Sequence, residues 1–92
     1  MKSILQKDKV CYFTGSTNNL HEHHIFGGPN RKLSEKYGLK IWLREDFHTG
    51  NQGIHHNKEM ALTIKQEAQK AAMEYYGWNI KKFIEIFGRN YL

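Results

Sequence analysis

Six histidines stand in this chain of 92 residues, and all of them (His21, His23, His24, His48, His55 and His56) fall between positions 21 and 56. They form three groups separated by loop-forming sequence, so a fold that gathers them must bring the middle of the chain back on itself. A chain of this length is one domain's worth of material, since domains typically run to about 100–150 residues. With 39% hydrophobic and 13% aromatic residues it can fold. A single core this small rarely supplies more than about 3–5 kcal/mol without a staple. An internal disulfide is excluded because Cys11 is the only cysteine, and a lone thiol suits a reducing interior. No apolar run approaches the roughly 18 residues of a membrane span, and the opening residues carry no signal-peptide core. The expectation is an intracellular protein with no membrane partner.

Lys9-Val10-Cys11-Tyr12-Phe13 reads as a strand, followed by the turn formers Thr14 to Asn19. Leu20 to Phe26 is the expected second strand of a β-hairpin, ended by Gly27-Gly28-Pro29-Asn30, where an irregular loop begins. Ser34 can cap one helical turn through Tyr37, stopped by Gly38, before a short extended piece around Trp42 flanked by Leu39, Ile41 and Leu43. Asp46 to Gly53 has loop composition. Beyond Ile54, Met60, Ile64, Ala68, Ala72 and Tyr75 recur near the helical period until Gly77, predicting a long helix. Asn79 can cap a last helix, with Ile80, Phe83, Ile84 and Phe87 as its apolar face and Gly88 as its stop. The fold class predicted is α+β, a single domain over 1–92 with its main unit at about 9–76 and the closing helix at about 79–88. Tyr75, Tyr76 and Trp78 on the long helix and just beyond read first as core, and otherwise as a face for a protein partner.

Neutral imidazole is a common metal ligand, and three imidazoles with an open fourth position make a catalytic rather than a closed structural site. His23-His24 before the glycine loop, His48, and His55-His56 at the helix start are three contributions that meet if the hairpin packs on that helix. A small core leaves few other layers to bring together. Ligands that are mostly imidazole favour zinc, nickel, manganese or cobalt over magnesium. A regular strand would put His21 and His23 on one face and His24 on the other, whereas a strand that loses regularity at the glycines would let His23 and His24 share a site. Asn51 or Asn57 could add an amide oxygen, with His56 as a further neighbour. The charge balance, 14 basic against 9 acidic residues for a formal +5, favours a polyanionic partner. Arg31 and Lys32, just past the glycine loop, could grip phosphates.

Cys11-Tyr12-Phe13-Thr14-Gly15, Leu20-His21-Glu22-His23-His24-Ile25-Phe26-Gly27-Gly28, Leu43-Arg44-Glu45-Asp46-Phe47-His48 and Gly53-Ile54-His55 together resemble small phage-type HNH endonucleases of the ββα-metal, or His-Me finger, fold. The likeness covers about residues 10 to 60. Such proteins often carry four cysteines that hold a structural zinc; Thr14, Arg44 and Phe47 stand here where three of them would be, so a four-thiolate zinc is excluded. The resemblance implies a ββα-metal core, His24 as general base, and His23, His48 and His55 as ligands of one divalent metal. It also implies DNA as substrate, read with weak sequence specificity, and a phage or recombination protein as a possible further partner in a bacterial host cytoplasm. The family's middle asparagine, which fixes the loop behind the base, falls near Leu39, leaving Asn30 as the candidate to replace it. A metal-stabilised nucleic-acid-binding module of the same fold, without hydrolysis, is the alternative.

Overall fold

Strand β1 (Leu20–His24) pairs antiparallel with β2 (Lys40–Arg44), with His21 opposite Leu43, Glu22 opposite Trp42, His23 opposite Ile41 and His24 opposite Lys40. The computed structural model describes residues 1–50 and 53–92, and in it the chain continues from this two-stranded sheet into helices. Between the strands lie a 3-10 turn at Gly28–Asn30 and α1 (Arg31–Tyr37). After β2 come α2 (Glu45–His48), a 3-10 turn at Ile54–His56, α3 (Lys58–Tyr76) and α4 (Ile80–Phe87). The result is an α+β domain. Among the described residues no helix is long and apolar enough to cross a membrane.

The expected hairpin partner for β1 is corrected by this pairing. Residues 9 to 13 are not a strand, because their donors are spent locally: the Val10 N–H on the Asp8 carbonyl and the Cys11 N–H on the Ser16 carbonyl, with Gly15 closing back onto Cys11. Only the Tyr12 N–H reaches toward the sheet, donating to the Trp42 carbonyl at 2.8 Å. The β-favouring side chains of residues 9 to 13 lose to Ile41 and Leu43, which bury almost completely when their segment pairs instead. β1 also ends at His24, two residues before the expected limit, and a short helix over residues 45 to 48 takes up the start of the loop expected from Asp46 to Gly53.

Packing explains how α1 is tied down. It begins at Arg31, so Ser34 lies within the helix and does not cap it. The fully buried Ser34 hydroxyl accepts from the Phe26 N–H at 3.0 Å and donates to the Phe26 carbonyl at 2.8 Å, clamping the helix to the residues after β1. Phe26 then packs edge-on against Phe83 and at a tilt against Phe87 of α4, with ring centroids 5.8 and 4.8 Å apart. Helices α3 and α4 run as their patterns predict: Asn57 and Asn79 cap their N-termini by accepting from the N–H of Met60 and Lys82, and Gly77 and Gly88 end them. Tyr76 and Trp78 stack in the partly buried shell of the core, whereas Tyr75 is exposed. Arg44 forks onto Asp46 at 2.7 and 2.8 Å and lies over the Phe47 ring, which packs on Phe13.

Gly38 ends α1 with a φ of 72°, and a β-carbon there would lie 2.5 Å from the Lys2 carbonyl oxygen. Both the left-handed backbone and the close crossing of the N-terminal segment require glycine at this position. Gly38→Ala should therefore destabilise the fold by about 1–3 kcal/mol or more. Thermal unfolding followed by circular dichroism checks this, and an unchanged midpoint would mean that the N-terminal segment does not cross here.

Candidate metal centre and adjoining cleft

The pleat of β1 divides its polar residues between two faces. His21 and His23 sit with Ile41 and Leu43 on the face toward α2 and the start of α3, whereas Glu22 and His24 sit with Lys40 and Trp42 on the other. α2 ends at His48, and the 3-10 turn before α3 carries His55. On the first face His23, His48 and His55 therefore converge, with ring centroids of 5.3 Å for His23 and His48, 5.6 Å for His23 and His55, and 5.4 Å for His48 and His55. One ligating nitrogen from each lies within 4.8 Å of the others.

The electrostatics suit a cation ligand set. Burial, reinforced by the neighbouring His48, His55, His24 and Lys65, pushes the His23 imidazole down to about 4, and burial likewise lowers His48. Both are neutral near pH 7, with lone pairs free to bind. A set of three imidazole ligands fits zinc, cobalt, nickel or manganese, which accept nitrogen ligands, and suits magnesium poorly. His21 stands beside this group, its Nδ1 at 3.1 Å from His48 Nδ1.

His24 faces a different set. Its Nε2 lies 3.5 Å from Glu35 Oε1 and 3.9 Å from Glu22 Oε1. Lys40 Nζ binds both carboxylates, at 2.6 Å to Glu35 and 3.4 Å to Glu22. Glu22, His24 and Glu35 also lie close enough to hold an ion. That role is taken by the Lys40 ammonium, which already offsets their charge. β1 stays regular through His24, so the expected loosening at the glycines is not how the two adjacent histidines meet. Both border one cleft of about 490 Å³ that opens beside Gly27 and Gly28, and His48, His55, Arg31 and Lys65 border it too.

The remaining candidates fall elsewhere. The Asn30 side chain donates to the Phe87 carbonyl at 3.0 Å, fastening the glycine loop to α4. Leu39 is core. The Asn57 side chain is committed to capping α3. His56 is exposed and outside the three-histidine group, and Lys32 is exposed and does not border the cleft. Asn51 lies outside the described residues. Two residues at the site escaped the sequence reading, Glu35 and Lys65. The helical spacing Ala61, Ile64, Lys65 could have shown that Lys65 shares a face with core residues lining the cleft. Glu35 had only an indirect signal: Lys40, opposite His24, is nearly buried and needs an acidic partner.

The hydrogen bond from Lys40 holds the Glu35 carboxyl down at about 2 against the opposing effect of desolvation, with the amino terminus and His24 adding to the lowering. A carboxyl lowered on folding contributes stability above its unfolded value of about 4.3, and that contribution disappears as pH falls through the folded value. A carboxyl-detected NMR titration should show Glu35 titrating near pH 2, and Lys40→Met should return it toward the ordinary range; an ordinary midpoint in the unsubstituted protein would refute the pairing. The chain matches no protein-family model, no curated protein and no solved structure, so its residues and their geometry carry the functional reading.

Proposed function

We propose that this protein is a metal-dependent endonuclease of the HNH type that hydrolyses DNA phosphodiester bonds on a ββα-metal core. The observation that carries the reading is the juxtaposition of His23, His48 and His55, grouped as a ligand set, with a fourth imidazole, His24, on the same cleft. The arrangement of β1, β2 and α3, with ligands from the strand end and the helix approach, supports the same reading. So do the net charge of +5 and the Arg31 and Lys65 side chains at the cleft.

Hydrolysis needs a water deprotonated in line with the leaving 3′ oxygen and charge stabilisation on the phosphate. A divalent ion held by His23, His48 and His55 would supply the Lewis acid for the phosphate and the leaving oxygen. His24 is the general base. With its Nε2 turned toward Glu35, its proton resides on that nitrogen, and Nδ1 is the atom that accepts the proton of water. Glu35, itself gripped by Lys40 at 2.6 Å, orients the base. Arg31 and Lys65 contribute positive charge for the phosphates on either side of the scissile bond.

Two measurements test the reading. Supercoiled plasmid incubated with Mn²⁺, Ni²⁺ or Mg²⁺ should be nicked or cut, and His24→Ala should abolish this without lowering the melting temperature. Binding of DNA without cleavage under any of these metals would replace the enzyme with the non-hydrolysing module. Separately, Zn²⁺ at a hundred times its Kd should stabilise the fold by about 2.7 kcal/mol through linkage, and His48→Ala should remove most of that gain. A melting temperature indifferent to Zn²⁺, Mn²⁺ and chelator would exclude the metal centre.

A further inference from the structure

We propose that His21 is a positioning residue for the metal centre, dictating through its contact with His48 which imidazole nitrogen His48 offers to the cation. The proposal rests on the three-histidine site argued above and goes beyond it by assigning the fourth histidine of that face. His21 Nδ1 and His48 Nδ1 are 3.1 Å apart, with the rings edge-on at 89° and their centroids at 5.3 Å. Two ring nitrogens at this distance attract only when one carries a hydrogen and the other a lone pair. An imidazole that binds a cation through one nitrogen keeps a single N–H on the other, so His48 is the donor in this contact. Donating that N–H from Nδ1 to His21 Nδ1 leaves the lone pair on Nε2, and Nε2 becomes the ligating atom.

His21 does not belong to the group of nitrogens that lie within 4.8 Å of one another, so its influence on the cation passes through His48. Its own placement is set by the sheet: it lies two residues before His23 on the same face of β1 and opposite Leu43, a core residue. The arrangement follows the rule that a ligating imidazole donates its second N–H to an acceptor that fixes its tautomer and orientation. That acceptor is commonly a carboxylate or a backbone carbonyl; here it is a second imidazole. An imidazole acceptor brings no negative charge, and so holds the ring of His48 without adding an anion to the centre.

The test uses the full chain and Zn²⁺ alone, with affinity measured by competition against a chromophoric chelator. Long-range ¹H–¹⁵N correlations of the His48 ring in the metal-free protein provide a second readout. The unsubstituted protein should carry its His48 proton on Nδ1. His21→Ala should mix the two tautomers and weaken Zn²⁺ binding by about 10–100-fold, while the metal-free melting temperature stays the same. His21→Asn, whose amide oxygen can accept near the position of Nδ1, should recover most of the affinity. A His48 proton on Nε2 in the unsubstituted protein, or an affinity unaffected by His21→Ala, would overturn the proposal. So would a Co²⁺ absorption spectrum that loses a nitrogen ligand in His21→Ala, since His21 would then bind the ion directly. If the unsubstituted protein binds no Zn²⁺, the metal-site reading fails, while the tautomer measurement still decides whether His21 governs His48.

Discussion

The antiparallel register of β1 on β2 is the constraint from which the other features of the site follow. With a side-chain period of two, a slip of one residue would exchange the two faces of β1 and send His23 away from His48 and His55. Burial makes that slip costly. Ile41 and Leu43 are almost fully buried on the face that His21 and His23 share, and turning them outward would expose two of the largest apolar side chains in a small core. The hydrophobic effect thus sets the register, and the register gives the His23 face and the His24 face of β1 their separate environments.

Those environments differ in charge. His23 is enclosed by apolar groups, other imidazoles and Lys65, all of which favour its neutral form. His24, the next residue, meets carboxylates whose charge Lys40 offsets. One strand therefore presents a lone-pair donor on one face and an imidazole held by an acid on the other. The cleft beside Gly27 and Gly28 is where both are accessible together. α1 brings Glu35 to this second environment, and α1 itself is fixed by the Ser34 hydroxyl on the Phe26 backbone and by the Phe26 contact with α4. The closing helix, far from the histidines in sequence, thus supports the element that holds His24.

The strongly periodic segments were legible in the sequence. α3 and α4, their asparagine caps and their glycine stops follow from local rules of helix termination, which need no knowledge of distant residues. The identity of the first strand's partner was not legible. Residues 9 to 13 have strand-favouring side chains, but pairing depends on which segment buries more against the helices, and that is decided by the whole core. Asn30 as a support for the loop and Asn57 as a ligand looked available for the same reason. Their amides are spent on the Phe87 carbonyl and on the first turn of α3, and the first of these partners is remote in the chain.

The sequence by itself determined the ingredients: the confinement of the histidines to three groups, the exclusion of a disulfide or four-thiolate staple by a single cysteine, and the long helix that follows the last group. These are properties of composition and of short-range periodicity, which each segment carries with it. Only the tertiary structure decided which imidazoles converge, that His21 leans on His48 instead of joining the triad, and that Glu35 and Lys40 stand behind His24. Those choices depend on strand register and helix docking, set by the burial of apolar residues far apart in the chain, so no local pattern around the histidines encodes them.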